Sequence, residues 1–404
     1  MINLDKIRAD TPGTAHSAYL QNAGAALPPT PVVNAEIRHL ELEAKIGGYE
    51  AATQEDSRIQ AVYHSGARLI NASHDEIALV TNATDGWQKA FYSCAASFKP
   101  GDRILVAKAE YAANYVAFLQ VAKRTGIEID VVPNDGAGQL DVAALERMIG
   151  SRSKLIAITW LPTNGGLVNP AAEIGKIARA HGIPYLLDAC QAVGQMPVDV
   201  EELGCDMLAA TGRKFLRGPR GTGFLYIRKA TMGELEPAMI DHFGAPWVAP
   251  GEYQLRPDAR RFELWEKNYA ALLGLGVAID YALEIGLAPI AERCRMLANH
   301  LRDGLNRIPG VRVHDLGLTP SAIVSFSIDG QNAAYVKSSA KEKGIIIGVS
   351  APSSTILDAT ERNLPAIIRA SPHYYNTTDE IGRLVAHCLE LAPGRGLKHR
   401  VSPS

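Results

Sequence analysis

Neither sign of charge is in excess in this 404-residue chain: 41 Lys and Arg stand against 43 Asp and Glu, a formal charge of −2. A nucleic-acid or anionic-membrane partner asks for a basic patch, and none is advertised. No run of 18 or more apolar residues occurs, and the opening MINLDKIRAD has no apolar signal core. A spanning helix or secretory leader is therefore not expected, and a cytoplasmic protein is. Cysteine is sparse. Cys94, Cys190, Cys205, Cys294 and Cys388 lie far apart, with no CxxC and no metal-type spacing; they read as buried free thiols in a reducing compartment, and no metal is expected. Apolar residues, by contrast, make up 47% of the chain, ample for a large α/β core with a smaller appendage.

The most informative stretch is 186–229. An apolar run at 184–187 ends in Asp188, and a second at 207–210 ends in Thr211-Gly212-Arg213-Lys214. Two strands thus deliver an acid and a lysine close together. The turn Gly218-Pro219-Arg220-Gly221-Thr222-Gly223 follows, dense enough in glycine to let backbone pass close to a ligand, and then the strand-like Phe224-Leu225-Tyr226-Ile227. Alone, a strand-end Asp caps a turn and a Lys is solvated. Together they suit pyridoxal phosphate (PLP): the lysine amine condenses with the cofactor aldehyde, and the carboxylate keeps the ring nitrogen protonated so that the ring accepts electrons.

This stretch resembles the lysine region of class V, fold-type I PLP enzymes, which include aminotransferases, cysteine desulfurases, isopenicillin N epimerase-like proteins and Cys-conjugate lyases. The resemblance implies that Lys214 is the Schiff-base lysine, Asp188 the ring-nitrogen partner and Gln191 the neighbour of the phenolic oxygen, with Thr211 and Arg213 as phosphate contacts. It extends over nearly the whole chain, 19–391.

Along the chain, helical periodicity runs from 31 to about 69, broken by Gly47-Gly48-Tyr49, a candidate lip of the site that puts Tyr49 among the substrate-binding candidates. Strands are then expected at 76–81, 103–107, 128–132, 154–160, 184–188, 207–210 and 223–227, with helices between them. This alternation predicts a mainly parallel seven-stranded sheet covered on both faces, with ligands at the carboxyl ends of its strands. After an aperiodic excursion at 230–262 come helices at 270–284 and 287–307, then a βαβ-like set beyond 309. The expected division is a segment at 1–30 near the active site, a large PLP-binding domain at 31–270, connecting helices at 271–308, a small C-terminal α/β domain at 309–392 and a tail at 393–404.

Other site candidates come from the resemblance. Ala83 and Thr84, at a strand-to-helix junction, match the small and hydroxyl residues that hold the PLP phosphate, where a helix N-terminus also favours an anion. Thr84 would otherwise read as an N-cap. Tyr111 stands where desulfurases of this family carry a histidine stacked on the cofactor ring; a tyrosine stacks too, but with an ordinary pKa of about 10 it shuttles protons poorly at neutral pH. Asn164 matches an asparagine near the cofactor's oxygen side, though an Asn before Gly is also a common turn. Asn22, Ala23 and Gly24 match a segment running under the active site, and Arg369 the arginine that grips the substrate carboxylate with its planar fork. Glu266 takes the place of a hydroxyl that reaches the partner subunit's phosphate in desulfurases. The segment Gly348-Val349-Ser350-Ala351-Pro352-Ser353-Ser354 has no cysteine where they need one for a persulfide.

These departures point away from a persulfide-type cysteine desulfurase. The pattern most resembles hercynylcysteine sulfoxide lyase-like C–S lyases, which implies β-elimination from a cysteine S-conjugate or its sulfoxide, giving pyruvate and ammonia. An isopenicillin N epimerase-like epimerase and a class V aminotransferase are the alternatives. A non-catalytic scaffold is opposed by the presence of Asp188, Gln191 and Lys214 together. A homodimer with active sites at the interface and a small amino-acid substrate complete the expectation.

Overall fold

The computed structural model describes residues 2–393; beyond Pro393, the expected tail lies outside the described residues. The seven strands expected of the large sheet form, each within a residue or two of its sequence range: β1 (Ile77–Val80), β2 (Arg103–Val106), β3 (Glu128–Val131), β4 (Ser153–Thr159), β5 (Tyr185–Asp188), β6 (Met207–Thr211) and β7 (Gly223–Ile227). Their order across the sheet is β1-β7-β6-β5-β4-β2-β3, and β7 alone runs against the rest.

Burial on both faces explains why these strands are apolar without a break. Ile77, Leu79, Leu105 and Ile156 enter one buried cluster, while Ala78, Val80, Ile104 and Leu155 enter the other, as the two-residue strand period requires. Helices cover the faces, among them α1 (Ala83–Ala95), α2 (Ala112–Thr125) and α3 (Ala171–His181). On one face Trp87 and Phe91 of α1 pack with Phe118 of α2, ring centroids 5.0–5.3 Å apart.

The parallel register fixes the site. Thr159 at the end of β4 pairs with Asp188 at the end of β5, and Asp188 pairs with Ala209 of β6. Three strand ends therefore open side by side. Gly223 starts β7 where a Cβ would stand 2.5 Å from the Ala210 carbonyl oxygen and 3.0 Å from the carbonyl carbon of Asn82, so only glycine lets this strand close against the α1 loop.

The helical stretch before the sheet is three helices, Thr30–Ile46, Gly48–Gln54 and Asp56–Ile70, with Gly47 at φ +94° making the first break. In the excursion at 230–262, a hairpin of Trp247–Ala249 and Glu252–Tyr253 projects from an anchored base. Arg261 donates to the carbonyls of Met232 and Arg256, while fully buried Glu263 accepts from Leu79 N, Tyr63 Oη and Lys267 Nζ. Helices α4 (Tyr269–Ile285) and α5 (Leu287–Asn306) meet at Gly286 with an 82° bend. No single described helix is long and apolar enough to cross a membrane.

The C-terminal part differs from the βαβ-like expectation. Its strands β8 (Val311–Val313), β9 (Val324–Ile328), β10 (Gly348–Ser350) and β11 (Ile367–Ala370) form an antiparallel sheet in the order β8-β9-β11-β10. Strand direction depends on long-range pairing, which short apolar runs do not encode. The amino end joins this part: Ala18–Tyr19 pairs with Ile345–Ile346, and Gln21 bridges to Ser371.

Candidate active site

At the carboxyl ends of β4, β5 and β6 lies a cavity with Ala83, Thr84, Tyr111, Asp188, Gln191 and Lys214 in its wall. Asp188 is 6% exposed, its Oδ1 accepting from Cys190 N at 2.9 Å and its Oδ2 from Asn114 Nδ2 at 2.9 Å. Lys214, just past β6, places its Nζ 3.2 Å from Cys190 Sγ and 6.0 Å from the centre of the Tyr111 ring. An acid and an amine thus face one cavity, with an aromatic face beside them.

Ala83 and Thr84 open α1, whose first N–H groups have no partner within the helix and suit a phosphate. Gln191 donates its Nε2 to the Ala23 carbonyl at 3.1 Å, leaving Oε1 buried without a partner. An orphaned buried acceptor in a cavity wall calls for a ligand there. Acid, amine, helix terminus and free amide oxygen together fit pyridoxal phosphate.

Arg369, half-buried on β11, donates Nη1 to the Thr163 carbonyl at 3.1 Å and to its hydroxyl. Thr163 belongs to the cavity wall, so the small sheet delivers this guanidinium to the site's edge. Burial pulls its pKa down to about 10 and the neighbouring Arg213 adds to the fall, while Tyr111 opposes it; the group is a cation at neutral pH.

Other expected residues are engaged elsewhere. Asn164 has its amide held by the small domain, Nδ2 donating to Thr355 Oγ1 at 2.8 Å and Ala351 O at 3.4 Å, while Ser350 Oγ donates to its Oδ1. Asn22 is fully buried, donating to Ser371 O at 2.7 Å and accepting from Tyr375 Oη. Thr211 donates its hydroxyl to Thr222 O at 3.2 Å. Arg213 Nη1 donates to the Gly24 carbonyl, tying the amino-terminal segment to the lysine loop. Tyr49 is 78% exposed and outside this cavity. Glu266 is exposed as well.

Several wall residues escaped the sequence reading. Cys190, read as one of five buried thiols, is half-buried in the cavity, where burial pushes its pKa up and Lys214 pulls it down. Its position inside Asp188-Ala189-Cys190-Gln191 was the available signal. Asn114, Thr159 and Thr163 carried no motif: only the register of neighbouring strands and the start of α2 bring them in.

Comparison with known proteins agrees with this chemistry. The aminotransferase class-V family model matches residues 18–384. A probable cysteine desulfurase of Methanothermobacter thermautotrophicus is 31% identical over 97% of this chain and 98% of its own. A cysteine desulfurase of Serratia proteamaculans is 32% identical over 95% and 97% of the two chains. The apo structure of a cysteine desulfurase from Thermococcus onnurineus NA1 superposes with a TM-score of 0.91 at 26% identity, covering 98% of this chain and 99% of that one.

These likenesses overturn the expected C–S lyase that releases pyruvate and ammonia, and with it the exclusion of a desulfurase. That exclusion rested on two positions, Tyr111 and the thiol-free segment at Ser350, whereas the identity to desulfurases runs the length of the chain. The particular resemblance to hercynylcysteine sulfoxide lyases and epimerases finds no support either. The fold is that of the fold-type I enzymes and the cofactor is pyridoxal 5'-phosphate; the chain belongs to the class-V aminotransferase family of PLP-dependent enzymes.

Proposed function

We propose that this enzyme removes sulfur from cysteine. The observation that carries the reading is the end-to-end identity with cysteine desulfurases, joined to a cavity that has an amine, an acid and a carboxylate clamp at hand. Bound PLP supplies the electron sink for charge developing at the substrate Cα. Arg369 would take the substrate α-carboxylate, Asp188 would hold the ring nitrogen, Gln191 would meet the phenolic oxygen, and the N–H groups of Ala83 and Thr84 would receive the phosphate. Tyr111 would offer its face to the ring. Lys214 would hold the cofactor aldehyde, and its free Nζ would move the substrate Cα proton.

The sulfur step needs a thiol acceptor. Its thiolate takes the substrate sulfur as a persulfide, the electron pair of the Cβ–S bond stays with carbon, and that carbon takes a proton and leaves as alanine. With Ser350 in place of a thiol and its segment held by Asn164, residues 348–354 supply no acceptor.

The same reading pairs the chain with a second copy near the sites. Trp247, Val248 and Tyr253 of the hairpin are 75%, 52% and 47% exposed, and Trp265 is 48% exposed, a concentration of bare apolar surface that suits a partner face. It also keeps the division into a PLP-binding part at 31–270 and a small domain at 309–392. Holoenzyme given L-cysteine and a reducing thiol should release alanine and sulfide in equal amounts. Pyruvate with ammonia, or a stereo-inverted amino acid, would overturn the proposal.

A further inference from the structure

Behind Asp188 lies a second carboxylate that the chemistry above does not use. Glu110, 3% exposed, follows β2 and accepts from both donors of Thr159, the backbone N at 2.6 Å and Oγ1 at 2.6 Å. Thr159 is the strand neighbour of Asp188. Its hydroxyl oxygen in turn accepts from Tyr111 N at 3.2 Å and Asn114 Nδ2 at 3.4 Å, and the same Asn114 amide donates to Asp188 Oδ2 at 2.9 Å. A continuous path runs from Glu110 through Thr159 and Asn114 to the acid that faces the cofactor.

The proton inventory gives this path a direction. While Glu110 is ionised, the Thr159 oxygen receives two N–H groups and gives its single proton to the Glu110 carboxylate. Were Glu110 protonated on Oε2, that proton would point at an oxygen already crowded by donors. The Thr159 hydroxyl would then turn against Tyr111 N or Asn114 Nδ2, and the Asn114 amide would lose its register on Asp188.

We propose that Glu110 is a positioning residue for the cofactor: through Thr159 and Asn114 it fixes the Asp188 carboxylate that meets the ring nitrogen. Burial raises the pKa of Glu110 to about 8, against the pull of the Thr159 bonds and with the help of the Asp188 charge, so it changes state near neutral pH. The ionisable groups that face it are Asp188 and Tyr185, both on β5; burial holds the Tyr185 phenol neutral across this range. The inference concerns PLP and holds whichever amino acid is consumed.

The test reads the cofactor rather than turnover. In the holoenzyme the absorbance of bound PLP should titrate near neutral pH, and in Glu110→Gln that transition should vanish or move by about one pH unit, with PLP affinity falling about tenfold. Thr159→Val, which removes only the hydroxyl link, should copy both changes, and Thr159→Ser should restore the parent spectrum. Should Glu110→Gln not fold, the Val and Ser variants decide alone. If Thr159→Val matches Thr159→Ser and the parent in spectrum, pH profile and PLP affinity, Glu110 merely ties two loops together and the proposal is refuted, even where melting temperatures fall.

Discussion

Replacing Arg369 should separate recognition of the substrate from every other function of the site. Its Nη1 is already engaged with Thr163, which leaves the rest of the planar fork to meet a carboxylate. Hydrogen bonds to charged groups contribute about 1.5–3 kcal/mol each, so a two-pronged contact in this half-buried position amounts to about 3 kcal/mol after allowance for its exposure. At about 1.4 kcal/mol per decade, Arg369→Ala should raise KM for cysteine about 100-fold. Arg369→Lys keeps the charge without the fork and should recover about half of that loss on a logarithmic scale.

The assay follows alanine formation against cysteine concentration, with the decarboxylated analogue of cysteine as control. That amine has no carboxylate to lose, so its kinetics should be the same in Arg369→Ala and parent, and the preference for cysteine over it should collapse. Cofactor absorbance should be unchanged, because the guanidinium bonds to Thr163 and to neither Asp188 nor Lys214. A KM in Arg369→Ala within about threefold of the parent would refute the reasoning, since less than 1 kcal/mol would then be at stake.

Lys214→Ala should bind PLP only reversibly and show no turnover, whereas borohydride reduction of the parent should fix the cofactor to the peptide containing Lys214; label on any other lysine refutes the assignment. In the apoenzyme, Cys190 should be alkylated slowly at pH 7 and faster as pH rises past the ordinary thiol value of about 8.5, because burial raises its pKa, and PLP should protect it; rapid alkylation at pH 6 would contradict this. Glu110 makes apoenzyme stability pH-dependent. Its folded pKa, about 8, lies above the ordinary glutamate value of about 4.3, so the folded chain holds more protons between these limits and stability should fall as pH rises from about 4.3 to 8. Denaturant titrations of parent and Glu110→Gln check this, and equal slopes against pH would remove Glu110 as the cause.

What the sequence made legible follows from which interactions are local. Each large-sheet strand could be located because apolar runs such as 207–210 are interrupted by turn chemistry, and the acid and lysine could be paired because both terminate such runs. Side-chain commitments could not be read. Asn164 and Asn22 look like ligand-facing amides in their motifs, yet one is engaged by Ser350 and Thr355 of the small domain and the other by Ser371 and Tyr375, all at least 180 residues away. Glu110 had the opposite fate: its place in Ala109-Glu110-Tyr111 drew attention to the tyrosine, and only the register of Thr159 against Asp188 revealed what the glutamate holds.

The same reasoning explains why one missing thiol misled. On the proposed reading, breaking a Cβ–S bond depends on drawing charge from Cα into the cofactor ring, and the groups assigned to this are Asp188 at the end of β5, Lys214 just past β6 and Arg369 on β11. The thiol that finally carries sulfur away is not among these groups. It can be supplied by a loop, by another molecule or by a small thiol without altering the site that activates the substrate. Ser350 therefore bears on how sulfur is handed on, while the bonds from Asn164 to Ser350, Ala351 and Thr355 bear on how firmly the small domain closes the cavity. The buried acid and amine and the half-buried guanidinium stand on the same fold as the desulfurases that match this chain end to end.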